Sequence, residues 1–333
     1  MSSPITKDFR PVSVVIPTWN GGARYLELLR VLETQDIAGG FQLVVIDSGS
    51  KDGTREASVK AGALLVDQDQ STFNHGAARN RGIEASSGAV IVLLTQDAVP
   101  IGSSFLSNML KPYKDASVDG VYARQFPQED CDPILKERLR GWSASRTAPE
   151  LQHFVQADAD ASLQLFNDIP PHERYTRCAF DNVASSVRRS TWQQKPFPER
   201  NFGEDIAWAR RVLLDGGTVA FEPTAEVEHS HRISMKREFF RLYRDHKNLY
   251  ELFGLQNVPD WERVRKGWTW QRSYYKELIA GLDISAREKR YWRIYTAPYA
   301  FVETAAQFLG ARSHWKAKES KFWARFDAWA CAD

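Results

Sequence analysis

From Val12 to Leu94, short β-branched or leucine-rich runs alternate with segments whose apolar residues recur every three or four positions. Val12–Ile16, Leu43–Ile46, Ala63–Val66 and Ala89–Leu94 predict buried strands. Gly22–Gln35 places Tyr25, Leu28, Leu29 and Leu32 at helical spacing. A polar stretch ending near Ala61 and the segment His75–Ala85 predict two further helices. Strand and helix in strict alternation imply a parallel sheet with right-handed crossovers and helices on both faces. Ligands of such sheets bind beyond the carboxyl ends of the strands.

The middle of the chain is less regular. Val118–Ala123, Ala184–Arg188 and Thr218–Glu222 predict strands, and Glu204–Asp215 predicts a helix stopped by Gly216-Gly217. From Ser234 onward the pattern is helical: Met235–Phe253, Trp261–Gly281, Ala286–Gly310 with a kink at Pro298, and Ser313–Trp329. No internal repeat and no low-complexity linker separates these parts.

Composition narrows the class. With 333 residues, 43% hydrophobic and 26% charged, the chain is long enough for a large core with an appendage or a second domain. The longest strongly apolar run, Ala89–Leu94, falls far short of the roughly 18–20 residues of a membrane-spanning helix. No secretory leader is expected, and three cysteines without metal-site spacing point to free thiols in a reducing cytoplasm. The net charge of +2 hides an asymmetry: from Ile233 onward there are 19 of the 44 Lys and Arg but only 12 of the 42 Asp and Glu. Seven of the eleven tryptophans also lie at or beyond Trp261.

Four polar clusters stand where strands end or helices begin. Asp47 opens Asp47-Ser48-Gly49-Ser50-Lys51-Asp52-Gly53-Thr54. A loop of this kind can approach a planar base, and a carboxylate can accept from a ring N–H. No G-x-G-x-x-G follows a strand, which argues against a classical dinucleotide domain. Asp97 follows the strand ending at Leu94, and His229-Ser230-His231 follows the strand ending near Glu222. One carboxylate and an imidazole suit Mg²⁺ or Mn²⁺ whose remaining ligands are diphosphate oxygens and water. Glu204-Asp205 opens a helix, where the macrodipole favours ionised carboxylates able to accept a proton. Arg79, in Asn74-His75-Gly76-Ala77-Ala78-Arg79, offers a fork of donors to phosphate. Each cluster alone also reads as a helix cap or a solvated side chain; together at one sheet edge they predict a site.

In this order the motifs resemble the family 2 glycosyltransferases of the GT-A fold, over about residues 10–250. Val12–Asn20 resembles the opening strand and loop, Asp47–Thr54 the nucleotide loop, Ala78–Ile83 the helix before the metal motif, and Gly203-Glu204-Asp205 the catalytic-base motif. Phe73–Gly76, Leu94–Pro100, Arg124–Pro127 and Val227–His231 are similar to bacterial rhamnosyltransferases that use dTDP-β-L-rhamnose in surface polysaccharide synthesis. The chain departs from the general pattern at Thr95 and Ser48, where a second Asp is common.

The resemblance implies an α/β GT-A catalytic domain over 1–232, its donor half about 10–125 and its acceptor half about 126–232, followed by a helical, basic and aromatic region over 233–333. It implies Thr18, Asn20, Asp47, Ser48, Arg79, Gln96 and Asp97 around the nucleotide-sugar donor, with Asp47 reading the base. Asp97 and His229 would hold Mg²⁺ or Mn²⁺, Asp205 would be the general base of an inverting transfer, and Glu204 its partner or an acceptor contact. The acceptor would be a saccharide, lipid-linked, and the basic aromatic tail would attach peripherally to the inner membrane face. Two alternatives remain at this stage: a UDP-sugar donor, or an inactive nucleotide-sugar-binding protein of the same fold. A nucleotidyltransferase would need a basic, glycine-rich phosphate loop after the first strand, which Thr18–Arg24 is not. No nucleic-acid-binding module is recognised.

Overall fold

The computed structural model describes residues 5–6, 11–154, 159–200, 202–230 and 234–331. The first half runs β1 (Ile5–Thr6), β2 (Val12–Thr18), α1 (Gly22–Glu33), β3 (Phe41–Asp47), α2 (Thr54–Lys60), β4 (Leu64–Asp67), α3 (His75–Ala85), β5 (Val90–Leu94), β6 (Val99–Pro100), α4 (Phe105–Leu110) and β7 (Val118–Phe126). Then follow α5 (Pro133–Leu139), β8 (Glu150–His153), α6 (Ala159–Asp168), α7 (Pro171–Arg177), β9 (Ala184–Arg188), α8 (Arg189–Gln194), α9 (Glu204–Leu214) and β10 (Thr218–Glu228). Five helices close the chain: α10 (Met235–Phe253), α11 (Trp261–Gly281), α12 (Ala286–Gly310), α13 (Ser313–Glu319) and α14 (Lys321–Cys331).

The strands form one sheet in the order β1-β3-β2-β5-β9-β7-β10-β6, with β4 on β3 and β8 on β10. The sheet is mixed and mostly parallel, as the GT-A resemblance implies. The antiparallel members are β9, between β5 and β7, and β6 and β8, both on β10. Consequently β2, β3, β5, β7 and β10 all run the same way, and their carboxyl ends share one edge. The amino end of β9 joins that edge, because Ala184 pairs with Leu94. β3 is buried at every position, as a strand covered on both faces should be. Gly82 lets α3 lie close on the sheet: a Cβ there would stand 2.3 Å from Ile46 Cδ1 and 2.5 Å from Val15 Cγ1.

Two strand and helix expectations are corrected. β10 does not stop near Glu222 but continues to Glu228, with a register shift against β7 between Glu222 and Glu226. Pro223 sits in that irregular stretch, where a missing N–H is tolerated. The helix expected over Ser313–Trp329 is two helices, because Ser320 is extended and its hydroxyl caps Trp323 N–H at 3.2 Å. α12 passes through Pro298 as a single helix.

The chain divides into two compact units. One comprises residues 1–131, 135–168 and 177–230; the other comprises 132–134, 169–176 and 231–333. The second has its own core, in which Ile134, Tyr275, Ile279, Tyr299 and Ala300 pack together. Two of its buried carboxylates are paired with tyrosines: Tyr275 donates to Glu303 at 2.7 Å and Tyr299 to Glu238 at 3.1 Å. Gly310 admits the α10 backbone, since a Cβ there would stand 2.2 Å from Tyr243 O.

Candidate active site

The shared carboxyl edge gathers the predicted residues of the first unit. Two loops lock there. Asn20, in the positive-φ region at 47°, donates its N–H to Ser50 Oγ at 2.8 Å and accepts from Lys51 N–H at 2.9 Å. Gly21 N–H reaches Thr54 Oγ1 and Gly22 N–H reaches Asp52, both at 2.9 Å. Gln96 bridges the β5 loop to the same place: its Oε1 accepts from Trp19 N–H at 2.8 Å and its Nε2 donates to Trp19 O at 3.3 Å. Trp19 itself stands half-exposed beside this clamp.

Asp47 is wholly buried. It accepts from Gly49 N–H and Ser50 N–H at 2.9 Å, from Thr18 Oγ1 at 3.2 Å, and from Arg55 at 2.8 Å. Burial alone would raise its pKa, but the bonds from Ser50 and Arg55, with the loop N–H groups, outweigh it and hold the carboxyl below its ordinary range. Its oxygens are occupied from within, and it shapes the loop. Ser48, also buried, has a hydroxyl without a hydrogen-bond partner among the described residues, as does Thr95. These are the two positions where the family pattern often has Asp.

Asp97 and His229 are brought together, Oδ1 to Nε2 at 3.6 Å. The pairing follows from topology: His229 ends β10 with its N–H on Phe126 O at 2.9 Å, and Val99 of β6 pairs with Glu228. One carboxylate and one imidazole at this separation fit a cation that takes most of its ligands from a diphosphate and water. They do not make a self-contained cage, and no cluster of three or more His, Cys, Asp or Glu suited to a metal occurs among the described residues. His231 lies outside the described residues.

At the other side of the edge α9 begins after Gly203, whose φ is 70°. Glu204 is buried and accepts from Arg79 at 2.9 Å and from Asn182 Nδ2 at 3.3 Å. Arg79 is equally buried and also donates to Asn182 O and His75 O, both at 3.3 Å. The Arg79 guanidinium and the Glu204 carboxylate are thus enclosed together, with Asn182 between them and the strand that follows.

Asp205 keeps part of its surface in solvent. Its Oδ2 accepts from Asn182 N–H at 3.1 Å and its Oδ1 from Ile206 N–H at 2.8 Å. Its pKa is nevertheless raised: desolvation acts first, and the charges of Glu204 and Asp181 add to it. The two N–H bonds pull down without cancelling the rise. The helix-start argument, which favours an ionised Asp205, is thus outweighed by desolvation and by two neighbouring carboxylates.

Asp181 and Asn182 are the residues that sequence reasoning missed. Asp181 accepts from Gln125 Nε2 at 2.7 Å and from Val183 N–H at 2.9 Å. Val183 O in turn accepts from Thr95 N–H at 3.0 Å. One short segment thereby ties the Asp97 loop to the Asp205 cluster. Its signal was an acid and an amide directly before the strand Ala184–Arg188. Arg55, the cation on Asp47, was the other omission.

Comparison with known proteins bears on the family and the fold. The family model described as Glycosyl transferase family 2 matches residues 13–166. The O-antigen chain rhamnosyltransferase RfbN of Salmonella typhimurium is 30% identical over 236 residues, 70% of this chain and 70% of that protein. The O-antigen chain rhamnosyltransferase WbaN of Salmonella anatum is 29% identical, over 69% of this chain and 70% of that protein. Among solved structures, glucosyl-3-phosphoglycerate synthase from Mycobacterium tuberculosis, in complex with Mn²⁺, uridine diphosphate and glucosyl-3-phosphoglycerate, superposes with a TM-score of 0.51. It is 18% identical, and the match covers 76% of this chain and 82% of that one. That likeness establishes the GT-A fold.

Proposed function

The chain belongs to glycosyl transferase family 2 and is a glycosyltransferase, and from that premise we propose that it transfers L-rhamnose from dTDP-β-L-rhamnose to a saccharide hydroxyl, with inversion at the anomeric carbon. The acceptor in this reading is a growing, lipid-linked surface polysaccharide, and the work is done at the cytoplasmic face of the membrane. The choice of sugar and pathway is supported by the two O-antigen rhamnosyltransferases that the chain resembles across more than two thirds of its length.

The observation that carries the mechanism is Asp205, a partly exposed carboxylate raised in pKa and fixed by two backbone N–H groups. A stronger base accepts a proton more readily from a sugar hydroxyl, provided it is ionised at the working pH. The acceptor O–H proton passes to Asp205 while the oxygen bonds to C1 of the donor sugar. The C1–oxygen bond to the diphosphate breaks on the opposite face, and its electron pair leaves with the nucleotide. Glu204 and Arg79 are positioning residues, which hold Asn182 and hence one N–H on Asp205.

On the donor side Asp47, Thr18 and Asn20 hold the nucleotide loop, and Gln96 fixes Trp19 beside it. The buried hydroxyls of Ser48 and Thr95 lie beside these loops without a hydrogen-bond partner among the described residues. A Mg²⁺ or Mn²⁺ ion held by Asp97 and His229 would supply positive charge to the diphosphate when bound.

The test is a thermal-shift panel of nucleotide sugars with Mn²⁺, followed by turnover with the best ligand and NMR of the product. dTDP-β-L-rhamnose is expected to stabilise the protein more than UDP-glucose or UDP-N-acetylglucosamine, and to give an α-linked product. Preference for a UDP-sugar rejects the donor and keeps the family; a β-linked product rejects inversion.

A further inference from the structure

The outer face of α12 carries an apolar stripe with positive charge beside it. Tyr291, Ile294 and Phe301 are 57%, 67% and 44% exposed, and Pro298 between them is exposed as well. At about 100° per residue these four share one helix face with Arg287 and Arg290, and Arg293 flanks it. The opposite face is inward: Thr296, Tyr299, Ala300 and Glu303 are buried. The pattern is thus amphipathic in the wrong sense for a solvated helix, with apolar residues on both sides over three turns.

Charge decides what the stripe suits. α11 and α12 carry nine Lys and Arg against four Asp and Glu. Three of the four acids are engaged locally: Glu303 is buried on Tyr275, Glu288 closes the capping box with Ser285, and Glu262 pairs with Lys266. Arg287, Arg290 and Arg293 are exposed and make no ion pair among the described residues. A second copy of the chain would be a poor partner, because joining two such stripes brings arginines together and the stripe itself carries no carboxylate to meet them. α14, the other basic and aromatic helix, is used differently. Its Phe326 packs on Tyr243 at 5.6 Å and its Trp329 on Phe240 at 4.7 Å between ring centres.

We propose that this face of α12 rests on an anionic lipid bilayer. Tyr291, Ile294 and Phe301 enter the headgroup region, and Arg287, Arg290 and Arg293 meet lipid phosphates. The attachment is peripheral, since no helix among the described residues is long and apolar enough to cross a membrane. The inference does not rest on the donor or the reaction, and its test uses neither.

The experiment is co-sedimentation of the full chain with phosphatidylcholine vesicles, with and without phosphatidylglycerol, at low and high salt. Wild type is expected to sediment with the anionic vesicles at low salt only. Ile294→Ser with Phe301→Ser, and separately Arg287→Gln with Arg290→Gln and Arg293→Gln, should each weaken binding on the order of 10–100-fold. All these side chains are exposed, and unchanged circular dichroism checks the fold. Phe322→Ser on α14, where Phe322 is 69% exposed, should bind as wild type. Three results would overturn the proposal: no binding of wild type, equal loss in Phe322→Ser, or lipid-free dimers that the α12 variants abolish.

Discussion

Asp47 and Asp205 sit at the same edge of one sheet, each accepting two backbone N–H bonds, and the protein drives them in opposite directions. Asp47 is wholly enclosed but has Arg55 and the Thr18 hydroxyl on its oxygens, and its pKa is held low. Asp205 keeps some surface in solvent, but desolvation, with the charges of Glu204 and Asp181 added to it, raises its pKa. Desolvation pushes both pKa values up; around Asp47 a cation and hydrogen bonds outweigh it, and around Asp205 two like charges add to it. A carboxylate with a cation becomes a fixed piece of loop architecture. In the proposed mechanism, the carboxylate among carboxylates serves as the proton acceptor.

The largest effect should come from removing the acceptor. Asp205→Asn keeps the shape and should lower turnover on the order of 10²–10⁴-fold, with donor affinity largely kept. Calorimetric donor titration beside single-turnover assays separates the two. A loss of donor binding in step with rate would move Asp205 to the donor side. The same variant carries a stability prediction with a definite sign. A raised carboxylate pKa means the folded state disfavours the charge, so stability falls as pH rises from the unfolded pKa of about 4 to the raised folded pKa, and the penalty is fully present above it. Asp205→Asn should then melt at or above wild type at alkaline pH.

Next comes the buried pair behind Asp205. Arg79→Met leaves Glu204 enclosed without its cation, and breaking such a pair costs about 3–5 kcal/mol. Thermal denaturation should show that loss. Glu204→Gln removes one of the two charges raising Asp205 and should shift the acid limb of the rate profile downward. An unmoved limb would leave Asp181 or desolvation as the whole cause.

How legible all this was in the sequence depended on which residues carried a local pattern. α3, β9, α11 and α12 match their expected bounds. The antiparallel direction of β9 had no local signal, since strand order is a property of the whole sheet. β10 outran its expected end because Pro223 reads as a stop, while the register shift absorbs it. The acids at positions 47, 97, 204 and 205 and the histidine at 229 were visible as polar breaks after apolar runs. What surrounds them was not: Arg55 and Asp181 are ordinary loop and first-turn residues until the fold sets them against Asp47 and Asp205. The contrast between the two carboxylates was therefore invisible in the sequence, which gives both as acids at element ends.

Smaller effects test the donor side. Asp97→Ala should weaken donor binding and turnover together, and chelation should mimic it, with recovery on adding Mn²⁺. Full activity after chelation would mean that the Asp97–His229 pair serves without a cation. Asp47→Asn keeps the N–H and hydroxyl bonds but loses the charge opposite Arg55. It should raise KM for the donor several-fold, by about 1 kcal/mol, and leave kcat nearly unchanged. A larger fall in kcat than in affinity would erase the distinction drawn between Asp47 and Asp205.

The most direct test is the pH dependence of kcat/KM for wild type beside Asp205→Asn. The base works only when ionised, so the rate must fall as pH drops through its raised pKa. Wild type should show an acid limb above the ordinary carboxylate range of about 4, and the residual activity of Asp205→Asn should lack that limb. A wild-type limb at the ordinary value, or the same limb in both proteins, would contradict Asp205 as the proton acceptor.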